Sequence, residues 1–382
     1  MGWKKVIGQK RVKELFKRAL AAGQVAHAYL LFGEEGVGKD ALALELARAL
    51  NCERNPTDPC DECPSCRRVE TLQHPNIRFV VALPTGKSEK TGDDPVAVLT
   101  EDQVAALRHE LAGKARDPYY RIVLEKANFI KVNSVRELRR EASLTGFLAG
   151  KKVFIISDAE MMNTEASNSL LKTLEEPPAD TVLILTTSRK DQLLPTIISR
   201  CQLVRCEALT EEEIATALVE RDGRMESEAR VAAQLSNGSF VAARALVSDD
   251  MVRLRSEVVR FLRLALGNSP TSLLSGIEEM LTSTDKTTSE RWLRMLQVWF
   301  HDAVALRAQK SGTATEQNAD LRKFVQRFAG ADLLKASAAV EGSIALVGKN
   351  VYLPLIFIGL SVDLKKILYA PSPVSLENNE TA

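Results

Sequence analysis

The chain has 382 residues, of which 45% are hydrophobic and 26% are charged, and its formal net charge is +1. At about 150 residues per domain this length predicts two or three domains, and the near-zero charge excludes a general electrostatic attraction to nucleic acid or to a membrane surface. No apolar core of signal-peptide length stands at the start, and no apolar run approaches the roughly 20 residues that a bilayer-spanning helix requires, so we expect a cytoplasmic protein without a membrane partner.

Short apolar runs alternate with segments of helical period over the first 208 residues. The runs are continuous rather than alternating in polarity, which is typical of strands that are covered on both faces. The pattern predicts an α/β domain over residues 1–208, with a parallel sheet and helices on both sides. The five runs are Ala28–Phe32, Phe79–Ala82, Val153–Ile156, Val182–Leu185 and Leu203–Cys206.

The first run leads into a glycine-rich loop with the sequence GEEGVGKD, residues 33–40, which opens a helix. In such a loop Gly33, Gly36 and Gly38 let backbone N–H groups close around phosphate oxygens, and Lys39 reaches the β- and γ-phosphates. The eighth position is normally a Ser or Thr that ligates Mg²⁺, but here it is Asp40, whose charge repels phosphate. We therefore expect a degenerate nucleotide site, although an acidic helix start is also ordinary capping chemistry.

Four of the six cysteines follow this helix at short spacings, as Cys52, Cys60, Cys63 and Cys66. Four thiolates in such a pattern suit tetrahedral Zn²⁺, and we predict a structural zinc-binding insertion over residues 52–66. A pair of disulfides is the alternative, disfavoured in the cytoplasm, and an iron–sulfur cluster receives less weight.

The next two segments are less regular. Residues 85–95 are polar and lack periodicity, which predicts a loop within an insertion at 83–120 that has no assigned role.

The third apolar run is followed by Ser157 and Asp158, at the place where an ATPase has the carboxylate that holds Mg²⁺. Aligned by the run, Ser157 takes that position, and a one-residue bulge would give it to Asp158.

The remainder of the chain is helical in pattern. A helix start at Thr210 opens a small helical module over 209–249, and long amphipathic helices follow over 250–370. The polar, Pro-containing residues 371–382 are predicted to be a disordered tail. Basic clusters occur at Arg136, Arg139 and Arg140, and at Arg253, Arg255, Arg260 and Arg263. Solvated helix faces explain most such clusters, and DNA contact is the alternative.

Three elements together resemble the bacterial clamp-loader AAA+ proteins of the DNA polymerase III holoenzyme. These are His27–Gly33, Asn168–Pro178 (NSLLKTLEEPP) and Leu194–Cys201 (LPTIISRC). The resemblance covers residues 1 to about 250, and the later helices fit only by length and position. It implies an AAA+ P-loop domain with a zinc module, a small helical lid, and an all-α collar that joins subunits into a ring.

Within the family the resemblance leaves two types open, the gamma/tau motor subunit and the delta-prime subunit, a non-motor member that completes the ring. The motor type has Ser or Thr at the eighth loop position, an Asp-Glu pair on the second strand of its site, and an arginine soon after the Gly-Ser of its lid. This chain has Asp40, Ser157-Asp158 and Val241 instead. We expect the non-motor type, with weak or absent ATP and Mg²⁺ binding; an active ATPase in which Asp40 and Asp158 hold Mg²⁺ is the alternative.

The resemblance also implies a role for Arg200. In the family the Ser-Arg-Cys element presents an arginine to the nucleotide of the neighbouring subunit, and a guanidinium can bridge two phosphate oxygens. A surface or salt-bridge arginine is the alternative. Thr186 or Thr187 stands where the family senses the γ-phosphate. The implied partners are gamma/tau and delta subunits, the sliding clamp, and primed DNA reached through the assembled complex; a free-standing zinc-dependent DNA-binding protein is a third interpretation, against which the net charge argues.

Overall fold

The computed structural model describes residues 2–85, 90, 92–144, 148–247, 250–282, 286–308, 319–349 and 351–370. The predicted tail, 371–382, and part of the predicted loop, 86–89 and 91, lie outside the described residues. The chain divides into two compact units, Met1–Arg244 and Ala245–Ala382. Residues 209–244 thus belong to the same unit as the sheet, and a separate lid boundary at 208 stays a prediction.

A parallel sheet forms the centre of the first unit, which confirms the predicted α/β class. Its strand order is β2-β3-β4-β1-β5. The strands fall on the five predicted apolar runs, with ends that differ by up to two residues. They are β1 (Ala28–Phe32), β2 (Ile77–Val80), β3 (Lys152–Ile156), β4 (Thr181–Thr187) and β5 (Gln202–Arg205).

The register of the sheet decides which chain segments meet at its carboxyl edge. Phe32 at the end of β1 pairs with Thr187 of β4 and Arg205 of β5, and Ile156 at the end of β3 pairs with Leu185 of β4. The loops that follow β1 and β3 and the end of β4 therefore converge. A crevice outside the carboxyl ends of parallel strands is where open α/β sheets place their ligand sites.

Helices cover both faces of this sheet. α2 is buried along most of its length, and α5 and α6 pack on each other beside β3 and β4. The helices that begin in the first unit are α1 (Lys10–Ala21), α2 (Lys39–Leu50), α3 (Pro64–Glu70), α4 (Glu101–Arg116), α5 (Val132–Ser143), α6 (Thr164–Glu175), α7 (Pro195–Ile198), α8 (Glu211–Asp222), α9 (Glu226–Leu235) and α10 (Phe240–Val247).

Two of these helices begin with reciprocal capping boxes, in which a threonine side chain and the residue three positions on satisfy each other's free backbone N–H groups. Thr210 and Glu213 open α8, as the sequence predicts. Thr100 and Gln103 open α4, which lies inside the insertion at 83–120 and was not predicted. The insertion is therefore not only a loop.

In the described residues of the second unit every regular element is a helix. α13 packs along α15, which also packs against α16. Trp299, Phe300, Phe324 and Phe328 form an aromatic cluster in its core. Within the described residues, no helix has the length and apolar character needed to cross a membrane. The helices are α11 (Asp250–Ala265), α12 (Pro270–Leu281), α13 (Lys286–Ala308), α14 (Ala319–Arg327), α15 (Leu333–Gly348) and α16 (Leu353–Leu368).

Candidate functional site

The glycine-rich loop joins β1 to α2, in the strand–loop–helix arrangement that the sequence predicts. Gly36 and Gly38 have φ values of 78° and 98°, in the left-handed region that a side chain disfavours. Lys39 is buried, and its Nζ donates to the carbonyl oxygens of Gly33 at 3.0 Å and Glu34 at 2.8 Å. The lysine is thus satisfied by its own loop.

Asp40 is the centre of a hydrogen-bond network that spans four elements. Its Oδ2 accepts from Lys114 Nζ at 2.6 Å and from Ser157 Oγ at 2.9 Å, and its Oδ1 accepts from Thr186 Oγ1 at 2.7 Å. Burial acts to raise the pKa of Asp40, but the Lys114 charge and the three hydrogen bonds outweigh it and hold that pKa below its usual value. Asp40 is therefore an anion at neutral pH.

Lys114 lies near the end of α4, and its side chain is only 4% exposed. Besides Asp40, its ammonium donates to the carbonyl oxygen of Tyr120 at 2.9 Å. An ammonium group thus lies beside the eighth residue of the loop, next to which a P-loop ATPase holds Mg²⁺. Sequence reasoning missed Lys114, because 74 residues separate it from Asp40 and no motif marks it.

Ser157 and Asp158 follow β3 directly. Ser157 contacts Asp40, whereas Asp158 has a left-handed backbone with φ 50° and lines the cavity at the loop. Burial, followed by the charges of Asp40 and Glu160, raises the pKa of Asp158 to about 6. The charges of Lys39 and Arg121 act in the opposite direction but do not outweigh these effects.

Tyr119 is a second residue of the insertion that lies on the loop. Its hydroxyl oxygen accepts the backbone N–H of Ile7 at 2.7 Å, and its ring meets Phe240 edge-on with centroids 5.1 Å apart. A Cβ atom at Gly38 would lie 2.6 Å from the Tyr119 hydroxyl oxygen. Burial raises the pKa of the Tyr119 phenol, which therefore stays neutral.

These side chains leave little room at the loop. The cavity lined by Gly36, Gly38, Lys39, Asp40 and Asp158, among others, has a volume of about 70 Å³. Pockets for small organic ligands usually measure roughly 300 to 1,000 Å³. The cavity at the loop is therefore smaller than a usual pocket for a small organic ligand.

The start of α10 closes over the same loop. The Phe240 N–H donates to the Gly36 carbonyl oxygen at 3.1 Å, and Val241, at the position where the motor type has an arginine, lines the cavity. Arg244 forms ion pairs with Asp117 and Asp222 instead.

Arg200 lies outside this network, just after α7. Its side chain is 35% exposed. One guanidinium nitrogen donates to Glu175 Oε1 at 2.8 Å and another to the Thr196 carbonyl oxygen at 3.0 Å. The following residue, Cys201, is buried in the core against the sheet. The Arg200 guanidinium is thus held by two hydrogen bonds and is partly open to solvent.

The four clustered cysteines come together as the spacing predicts. Their sulfur atoms all lie within 4.8 Å of one another. Backbone N–H groups of Cys60, Cys63 and Cys66 point at the sulfurs of Cys52, Cys60 and Cys63 respectively, at 3.4 to 3.5 Å. Such bonds stabilise thiolates, so the cluster could hold a metal ion.

The basic clusters differ in their surroundings. Arg136, Arg139 and Arg140 are exposed on α5, and Arg140 pairs with Glu137. In the second unit Arg260 pairs with Glu279 and Arg263 with Asp320. The side chains of Arg253 and Arg255 are not among those that the structure describes.

Comparison with known proteins gives the following similarities. A family described as "DNA polymerase III, delta subunit" matches residues 8–210. DNA polymerase III subunit delta' of Pseudomonas aeruginosa is 31% identical over 317 residues, 79% of each chain, and that of Bacillus subtilis is 29% identical over 299 residues, 78% of each chain. DNA polymerase III subunit tau of B. subtilis is 29% identical over 210 residues, 55% of this chain and 30% of tau.

Proposed function

We propose, because the chain belongs to the family of DNA polymerase III delta-prime subunits, that it is a clamp-loader ring member that does not itself turn over ATP. It would assemble with gamma/tau and delta subunits in the cytoplasm and help to load the sliding clamp onto primed DNA. The observation that carries the non-motor role is the ion pair between Asp40 and Lys114 in the phosphate loop.

The chemistry of that ion pair argues against ATP hydrolysis at this loop. A P-loop ATPase holds Mg²⁺ with a hydroxyl at position eight and a carboxylate on a neighbouring strand. Here the carboxylate is at position eight, the neighbouring strand offers Ser157, and Lys114 supplies the positive charge. A bound triphosphate would have to displace Lys114 from Asp40, and it would then be repelled by the Asp40 anion. Both effects weaken binding.

Equilibrium binding of labelled ATP with Mg²⁺ to the isolated chain, together with a turnover assay, tests this proposal. We expect no micromolar binding and no turnover, with an isolated gamma/tau motor subunit as the positive control. Micromolar affinity with measurable turnover would instead support the gamma/tau-like alternative, in which Asp40 and Asp158 hold Mg²⁺.

Arg200 is proposed to act in trans, as an arginine finger on the nucleotide of a neighbouring motor subunit. Its ion pair with Glu175 and its bond to the Thr196 carbonyl hold the guanidinium at the surface without burying it. Holding a long side chain in place lowers the entropy that is lost when it binds a phosphate. An arginine finger contributes about 10³-fold or more in rate.

The metal proposed for the cysteine cluster is zinc, in a structural role. With Zn–S bonds of about 2.3 Å, the sulfurs of a tetrahedral site lie roughly 3.8 Å apart, which the observed spread of the cluster accommodates. Four thiolates complete the coordination of Zn²⁺ and leave no position for a substrate or water.

The proposed DNA contact is the exposed basic face of α5. Arg136 and Arg139 are exposed there and form no ion pair in the described part of the chain. Because the net charge is +1, such a contact would act through phosphates in the assembled ring rather than through a general attraction.

A further inference from the structure

The segment 114–121, at the end of α4 and directly after it, lies against the phosphate loop. Lys114 forms a buried ion pair with Asp40 and Arg121 an exposed one with Glu35, so that both ends of the segment contact loop residues. Between them Tyr119 packs on Gly38. The segment therefore fills the site from inside the chain.

The groups of the segment match the chemistry that a bound nucleotide would offer. The Lys114 ammonium supplies a cation beside the eighth residue of the loop. Tyr119 supplies a flat aromatic ring and one hydrogen-bond acceptor for the Ile7 N–H. A nucleobase at this position would likewise offer a flat ring and an acceptor. Both side chains are almost wholly buried.

The same segment also reaches the helices over 209–244. Asp117 and Asp222 of α8 both pair with Arg244 of α10. The Tyr119 ring contacts Phe240 of α10. Residues 117–119 thus contact both the phosphate loop and α10.

We infer that residues 114–121 are a built-in substitute for a nucleotide, which fills the phosphate loop and fastens the helices over 211–244 to it whether or not ATP is present. The inference deepens the proposed non-motor role and rests on it for the claim that no nucleotide displaces the segment. It assigns a function to the insertion: the arrangement that ATP would impose on a motor subunit is permanent here.

Amide hydrogen exchange of the full chain, followed by mass spectrometry, tests the inference, because exchange of structured amides reports local opening. The variants are Tyr119→Phe, which removes only the hydroxyl, and Tyr119→Ala, which removes the ring. Val123→Ala is the matched control, since Val123 follows the segment and is 67% exposed. Each is measured with and without millimolar MgATP.

We expect MgATP to leave exchange of the wild-type chain unchanged over 211–244. Tyr119→Phe should speed exchange of the Ile7 amide about 5-fold, the equivalent of one buried hydrogen bond. Tyr119→Ala also removes the ring contact with Phe240 and should speed exchange over 211–244 by more than 10-fold. Exchange in β1 and β4 is the internal reference, so that a general loss of stability is recognised as an equal increase in both regions. Val123→Ala should match wild type.

Two results would overturn the inference. One is exchange over 211–244 that stays at the wild-type rate in Tyr119→Ala, or that rises only as much as in β1 and β4. The other is protection of 211–244 in the wild-type chain on adding MgATP. ATP turnover by the wild-type chain would contradict the proposed non-motor role, and it is measured separately from exchange, so the two failures are distinguishable.

Discussion

Replacing Lys114 by methionine removes the ammonium and keeps the length of the side chain, which leaves the Asp40 carboxylate with the hydroxyls of Ser157 and Thr186 alone. Removing one partner of a buried ion pair typically costs about 3 to 5 kcal/mol. Because the Asp40 side chain is 20% exposed, water screens part of its charge, and we expect a loss of about 3 kcal/mol in the free energy of unfolding of the first unit.

The second half of the experiment replaces both partners. Asp40→Asn with Lys114→Met leaves no unpaired charge, and uncharged replacements of a buried pair are often nearly neutral. We expect the double variant to be about 2 kcal/mol more stable than the sum of the single changes predicts.

The pKa of Asp40 lies below its ordinary value of 3.8. The stability that it contributes is therefore present at pH 7 and is lost as pH falls through the folded-state pKa.

Urea unfolding followed by tryptophan fluorescence measures this effect in one unit. Of the three tryptophans, Trp3 is buried in the first unit, where its Nε1 donates to the Thr57 carbonyl oxygen. In a Trp292→Phe, Trp299→Phe background, Trp3 reports that unit alone. With a slope of about 2 kcal/mol per molar urea, Lys114→Met should lower the midpoint by roughly 1.5 M. A shift below about 0.5 M, or single variants whose effects simply add, would refute the assigned ion pair.

Arg200→Ala is expected to leave assembly of a reconstituted clamp loader intact and to lower its DNA-dependent ATPase rate about 10³-fold, whereas Glu175→Gln should lower it far less; an unchanged rate in Arg200→Ala would remove the proposed role. Elemental analysis should find about one zinc per chain, lost in Cys63→Ser and retained in Cys201→Ser, whose thiol lies in the core; zinc kept by Cys63→Ser would contradict the site. Because its pKa is raised to about 6, Asp158 opposes folding when it is ionised. Asp158→Asn should therefore stabilise the first unit by roughly 1 to 3 kcal/mol at pH 7.5 and by almost nothing at pH 4. Equal urea midpoints of variant and wild type at pH 7.5 would show that the pKa is not raised. The double variant Arg136→Ala, Arg139→Ala should reduce the salt dependence of DNA binding by the reconstituted complex by about two units of log–log slope, and Arg230→Ala, on the exposed face of α9, should leave it unchanged; an unchanged slope in the double variant would exclude α5.

The sheet could be predicted because buried parallel strands are continuous apolar runs, and such runs are visible without knowledge of tertiary contacts. Asp40 and Val241 were also recognisable, since each breaks a motif at a fixed position. Lys114 and Tyr119 could not be found in this way. They lie in an insertion without a motif. Their role depends on contacts with distant residues: Lys114 contacts Asp40, 74 positions earlier, and Tyr119 contacts Ile7, 112 positions earlier. The fold brings those residues together, and no local periodicity records it.

The phosphate loop has glycines at positions where contacts within the chain leave no room for a side chain. A side chain at Gly36 would collide with Ser239 Oγ, and one at Gly38 with the Tyr119 hydroxyl. Both glycines also have positive φ values that other residues disfavour. Each is therefore required by a contact within the chain, on the side of α10 at Gly36 and on the side of residues 114–121 at Gly38. Packing within the chain is enough to require glycine at both positions, so the glycine-rich loop does not by itself indicate that phosphate is bound there.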